Sequence, residues 1–377
     1  MNRIEFYLKY ILRSQDGGYN NWRFYFPAIC FSVGIMSVVI TFAIMQGMED
    51  EVFKKLEAIN LSSKILDDNF IKVDTDKNFV FVINKKAIIS NGDHYRVVNV
   101  KAIEDFQKYK NNRLYKFFEE IDPDLSGAIL GQGLAGRLNV GVGDLIELYS
   151  PTDINFITGA PNSLKVKISG IFNFKLLDYD DKYIFTDLPI GESLFKGSDK
   201  EIYSYLDPEQ LTYNYKNIRN FKTWKDEHID FISAMNLEKL AFSSFGFLII
   251  IISAFSSFSI ICISIIRRIS EIGILRTLGY SNWMISYIYF LQSLLIGFLG
   301  GAIGVLLSKL FILLDQKYSL ISQIFSSELI FDFKLNISNY EIFVIYIIGL
   351  LIMLFSGIYP SIYASRVPIL KSLHYNK

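Results

Sequence analysis

The sequence predicts an α-helical membrane protein with four transmembrane helices plus a mixed α/β extracytoplasmic domain between helices 1 and 2. Three observations predict it. Apolar stretches long enough to cross a bilayer, which takes about 20 residues, occur at 24–46, 241–266, 285–314 and 342–364. Arginine and lysine gather on short flanks at alternate ends of these stretches. The long segment after the first stretch is charged throughout and carries apolar/polar alternation of the kind that builds strands.

The first stretch, 24–46, holds no charged residue, and Pro27 sits where a first helical turn tolerates its missing N–H. The second, 241–266, is equally free of charge. The third, 285–314, contains Lys309 near its end, from which the ammonium can reach the interface. The fourth, 342–364, contains Pro360, expected to kink or end the helix. Cys30 and Cys262 both lie inside apolar stretches, so no disulfide framework is expected outside them.

Orientation follows from the flanks. Arg3, Lys9, Arg13 and Arg23 precede the first stretch, Arg267, Arg268 and Arg276 follow the second, and Arg366, Lys371 and Lys377 close the chain. The positive-inside rule puts segments 1–23, 267–284 and 365–377 in the cytoplasm, with both termini inside. Segments 47–240 and 315–341 are then outside. The third helix carries Gly297, Gly300, Gly301 and Gly304 in two overlapping G-x-x-x-G spacings. Such glycines let another helix approach closely, either within this chain or from a second copy or sibling.

In the outer segment, Leu164, Val166 and Ile168 alternate with Lys165, Lys167 and Ser169, which predicts a half-buried strand. Residues 79–83, 145–149 and 183–188 read as further strands and 131–138 as a short helix ending at 139–141. Residues 49–61 continue the first helix outward, and 226–240 lead helically into the second, with Ile229, Ile232 and Met235 on one face. The domain is thus expected to stand on two helical stalks. His94, His228 and His374 are too scattered to ligate a metal, and no H-E-x-x-H, G-x-S-x-G or C-x-x-C occurs. The acidic group Asp178, Asp180 and Asp181 reads as a solvated turn before a strand. Equal numbers of basic and acidic residues, 38 each, argue against nucleic acid as a partner.

The loop after the second stretch contains Arg267, Arg268, Glu271, Arg276, Thr277, Leu278 and Gly279. Ile272, Leu275 and Leu278 fall on one helical face, and Gly279 ends the helix. No G-x-x-x-x-G-K-[ST] occurs, so ATP and Mg²⁺ would have to be held by another chain and no cofactor by this one.

With one helix, a large outer domain and three further helices, the chain resembles the FtsX-like permeases of mechanotransmission ABC transporters. Four stretches carry the likeness: Arg267 to Gly279; Leu130-Gly131 through Leu138-Asn139, Gly141, Gly143 and Asp144; Gly170-Ile171-Phe172 followed by Asp178 and Asp180; and Tyr359-Pro360 with Ala364, Arg366, Pro368 and Leu373. Within that superfamily it is most similar to lipoprotein-releasing permeases, on the run Ile44-Met45-Gln46-Gly47-Met48-Glu49 and on Asn236-Leu237-Glu238-Lys239. The resemblance implies a non-catalytic inner-membrane subunit that passes lipoproteins from the outer leaflet to a periplasmic carrier. Its implied partners are cytoplasmic ABC ATPase subunits, a second permease (sibling or self), the lipoprotein, the carrier and membrane lipid. It implies an ATPase-coupling role for Arg267 to Gly279 and an acyl-chain cavity at Ile44, Met45, Met48 and Phe245. A carrier hook is implied at Phe156, Gly159 and Pro161, where an ordinary polar hairpin is the other reading. A drug or peptide exporter, or a signalling scaffold for a cell-wall hydrolase, are the alternatives within the superfamily.

Overall fold

The structure is a computed structural model that describes residues 22–66, 78–92, 94–122, 127–154, 159–215, 218, 220–324 and 333–366. Of the residues singled out above, Arg3, Lys9, Arg13, Phe156, Pro368, Lys371, Leu373, His374 and Lys377 lie outside them. The chain forms two compact units, Met1–Asp50 with Ala234–Lys377 and Glu51–Ser233.

Among the described residues, four helices are long and apolar enough to cross a membrane. Helix α1 spans Trp22–Ile59. After the outer domain come α2, Ile229–Arg267, and the short α3, Ile269–Thr277. They are followed by α4, Asn282–Tyr318, and α5, Asn339–Ser365. Pro27 lies more than a turn inside α1, because the helix begins ahead of the apolar run. Pro360 does not end α5, which continues to Ser365. Buried residues recur at spacings of one or two turns: Phe31, Ile35, Val39 and Ala43 on α1, Ile250, Ala254, Ile261 and Ile265 on α2, with Ile285, Ile288 and Ile296 on α4 and Ile345 and Met353 on α5.

Polar side chains close the helix ends. Ser281 accepts from Met284 N at the start of α4, and Ser338 with Glu341 forms a capping box at α5. In the last turn of α4, buried Asp315 accepts from Ile321 N at 2.9 Å and Leu335 N at 3.3 Å.

The other unit has ten strands among its described residues: β1 Ser63–Ile65, β2 Phe79–Asn91, β3 His94–Ile103, β4 Phe118–Ile121, β5 Ala128–Gly131, β6 Leu145–Ile154, β7 Pro161–Phe172, β8 Tyr183–Asp187, β9 Glu201–Ser204 and β10 Phe221–Thr223. Their order is β10-β1-β9-β2-β3-β8-β5-β7-β4, with β6 pairing both β2 and β7. Pairs β3/β8 and β5/β7 are parallel, so the sheet is mixed, as the α/β expectation requires. A helix at Gln132–Leu138 packs Leu134, Ala135 and Leu138 into the core, and Asn139 ends it in the left-handed region.

The alternation read at Leu164 to Ser169 is seen only in the first half of β7. From Ile168 to Phe172 every residue is buried, because helices and the aromatic core cover both faces. Phe172, Phe174 and Phe185 form that aromatic core with Tyr109. The group Asp178, Asp180 and Asp181 is not a solvated turn. It lies on the helix Leu177–Lys182, and Asp180 is buried, accepting from Phe174 N at 2.8 Å and Leu176 N at 2.9 Å. Burial pushes its carboxyl up, against the pull of those two N–H groups.

Candidate functional site

The sequence-predicted sites fall into separate places. In α3, buried Ile269, Ile272 and Gly273 face the helix core, together with Arg268. Ile272 and Leu278 do not share a buried face: Leu278 is 71% exposed. It lies past the end of α3, where Gly279, at φ +92°, turns the chain and Tyr280 N closes onto Leu275 O at 3.1 Å. Ile274, Thr277 and Gly279 are exposed as well, and Arg276 is tied to Asn282. The exposed edge continues to Trp283, stacked on Tyr287 with rings 6.1 Å apart. Sequence reasoning passed over Trp283 because it opens an apolar run and reads as part of it.

At the far end of the helical unit, two motifs that were only similar in sequence meet in space. Lys239 of α2 donates to Gln46 Oε1 at 3.3 Å and Glu49 Oε2 at 3.1 Å on α1. On the same turn of α1, a Cβ on Gly47 would lie 2.3 Å from Lys334 O, while Asn336 N donates to Ala43 O and Asn336 Nδ2 to Asp50. Ile44 and Met48 pack against the helix core, Met45 is half-buried, and Phe245 is 63% exposed. The structure therefore puts Ile44, Met45 and Met48 within a braced turn and Phe245 on an open surface of α2.

The glycines of α4 meet this chain's own helices. A Cβ on Gly300 would lie 2.6 Å from Ala28 O, and one on Gly304 2.6 Å from Ser32 O, so α1 and α4 touch backbone to backbone. Gly297 and Gly301 face Met353 and Tyr346 of α5. Lys309 donates to Asn339 Oδ1 at 3.0 Å, linking α4 to α5.

In the outer unit, β6 and β7 form an antiparallel hairpin that ends in the pair Ile154 and Pro161. Gly159 takes a positive φ, and Ile154, Gly159, Ala160 and Pro161 are exposed. The other motifs of this unit converge: a Cβ on Gly131 would lie 2.2 Å from Asp180 O, and Arg137 pairs with Asp181 at 2.5 Å. Among the described residues, no group of three or more His, Cys, Asp or Glu could hold a metal ion.

A multi-pass membrane protein with an α/β domain inserted after its first helix is the class this architecture defines. Residues 243–369 match the FtsX-like permease C-terminal family, and the chain carries an FtsX-like permease domain there. It is 23% identical to the lipoprotein-releasing system transmembrane protein LolC of Buchnera aphidicola subsp. Schizaphis graminum, over 89% of each chain. It is 22% identical to the LolC protein of Neisseria meningitidis, over 79% of each. Among solved structures, the extracellular domain of the noncanonical ABC-type transporter YknZ from Gram-positive bacteria covers 44% of this chain and 92% of its own. That likeness, with 12% identity and a TM-score of 0.27, is too slight to define a common fold.

Proposed function

We propose that this chain is the permease subunit of an ATP-driven ABC transporter that releases lipoproteins from the outer leaflet of the inner membrane to a periplasmic carrier. The observation that carries this reading is the extent of the likeness: it spans nearly the whole chain, outer domain included, and not the permease domain alone. On this reading α3 and its exposed edge, with Arg267, Glu271, Arg276, Thr277 and Leu278, receive a separate cytoplasmic ATPase that holds ATP and Mg²⁺. The permease itself is non-catalytic. Both termini are cytoplasmic, and a sibling or second copy completes the transporter.

Acyl chains need an apolar cavity, worth about 0.8 kcal/mol per buried CH₂. Ile44, Met45, Met48 and Phe245 are apolar and would line it with the partner permease. The exposed tip of the β6–β7 hairpin, with Gly159 and Pro161, would meet the carrier.

The test is to purify the full chain in mild detergent and identify what accompanies it by mass spectrometry. An ATPase, a permease partner and acylated lipoproteins together support lipoprotein release. An ATPase accompanied by a cell-wall hydrolase or an outer-membrane channel would move the function to scaffold or exporter. No ATPase at all would overturn the transporter reading.

A further inference from the structure

A helix leaves its last carbonyls without internal donors. At the C-terminus of α1 they are met mostly by side chains from far along the chain. Leu56 O accepts from Asn60 N at 2.8 Å. Arg113 Nη1 donates to Glu57 O at 2.7 Å and to Asn60 O at 2.6 Å. The Tyr109 hydroxyl lies 2.5 Å from Ile59 O and 3.1 Å from Ala58 O. Lys101 Nζ donates to Ile59 O at 3.1 Å and to Asn60 Oδ1 at 3.4 Å.

These three side chains belong to one piece of the outer sheet: β3, the turn Phe106–Tyr109 that follows it, and the turn Lys110–Leu114. Helix α3 offers the contrast, since its end is closed by its own next residues, Gly279 and Tyr280. For α1 a local glycine cap of that kind would have satisfied the same carbonyls. The side-chain cap differs in that it fastens the helix end to the sheet. Two cations at a helix C-terminus are also favoured by its dipole. Rings steer them: Tyr203 stands 5.7 Å from Lys101 Nζ, and Tyr205 stands 5.6 Å from the Arg113 guanidinium.

We propose that Lys101, Tyr109 and Arg113 are the coupling joint of the outer domain, a side-chain cap that hands a displacement of α1 to β3 and the sheet. They are positioning residues, and the role rests on the transporter reading above for the source of the displacement. Lys101 is 3% exposed and Tyr109 fully buried, so their bonds are shielded from competing water, while Arg113 is half-buried at the edge of the joint. Burial also holds the Lys101 ammonium down to about 8, against the pull of Glu227 and Glu201. Arg113, the other cation of the joint, lowers it further.

The test uses the full chain with its ATPase in nanodiscs, as wild type, Arg113→Met with Tyr109→Phe, and Tyr109→Phe alone, which keeps the ring packed on Phe185. Hydrogen exchange is followed at the amides of the last turn of α1, and lipoprotein release is counted per ATP hydrolysed. Losing a charged hydrogen bond should speed last-turn exchange about tenfold. Release per ATP should fall several-fold while ATP hydrolysis continues. Unchanged exchange, or faster exchange with release per ATP unchanged, would overturn the joint. A wild type that hydrolyses ATP but releases no lipoprotein would sink the transport reading and the joint's role with it, whereas a releasing wild type matched by its variants would sink the joint alone.

Discussion

Replacing Lys101 by methionine should change how the stability of the outer unit depends on pH. In the folded chain burial holds Lys101 down to about 8, whereas its ordinary value is 10.5. Between these values the unfolded chain binds a proton that the folded chain has released, so stability rises with pH there. Integrated from about pH 7.5 to about pH 9.5, that difference is worth about 2 kcal/mol. Tyr109, Tyr179 and Tyr203 are raised above the usual tyrosine range by burial and enter only at higher pH, and His228, lowered by burial, has finished titrating at lower pH. Methionine does not titrate, so the wild-type minus Lys101→Met difference isolates the lysine. The assay is urea unfolding of the full chain in micelles, followed by the fluorescence of Trp224. This residue is buried in the outer unit, and Trp22 and Trp283 would be replaced by phenylalanine. The wild type should gain about 2 kcal/mol on the variant across the window. Unfolding curves that keep a constant separation would refute the buried-ammonium argument.

Gly300→Val should destabilise the helical unit by about 1–3 kcal/mol or more, since the added carbon meets Ala28 O; Gly136→Ala, whose Cβ meets open space, should be neutral or stabilising by up to about 1 kcal/mol. Thermal unfolding of both variants in detergent checks this, and an equal loss for the two would refute the backbone-contact reading. Asp180→Asn keeps one acceptor oxygen and sets an amide against an N–H, so the outer unit should lose about 1–3 kcal/mol in urea unfolding. Leu278→Asp, on an exposed site, should leave folding within about 0.5 kcal/mol of wild type while abolishing co-purification of the ATPase. Undiminished ATPase recovery would remove Leu278 from the coupling surface.

The four long helices were legible because apolar runs of bilayer length have few other uses. Strands β6, β7 and β8 were legible from alternation or from β-branched and aromatic runs. The β2–β3 hairpin was only begun at Phe79, because Asn84-Lys85-Lys86 interrupts β2 and a lysine at position 101 looks like a solvated residue. What hides Lys101 and Asp180 from sequence reasoning is the same thing. Each is buried on backbone partners supplied by distant or folded-back segments, and no local spacing announces such partners. The face of α3 was misjudged for a local reason, since the left-handed Gly279 and the turn at Leu278 end the helical periodicity on which the face was counted. Lys239 and Glu49 belong to two separate stretches of the sequence likeness, and only the fold shows that they bond to one another.

Helix α1 has a property that composition does not express: it has a phase. It runs unbroken for 38 residues, and its buried positions include Ala43 and Gly47 before Asp50 and Val52, Leu56 and Ile59 after it. Each residue turns an α-helix by about 100° and advances it by about 1.5 Å. One residue inserted near Asp50 would therefore swing the second set of buried side chains by about 100° relative to the first, whereas seven inserted residues would restore the facing to within about 20°. Within this helix, insertions that preserve the facing of its side chains come in whole turns and not in single residues.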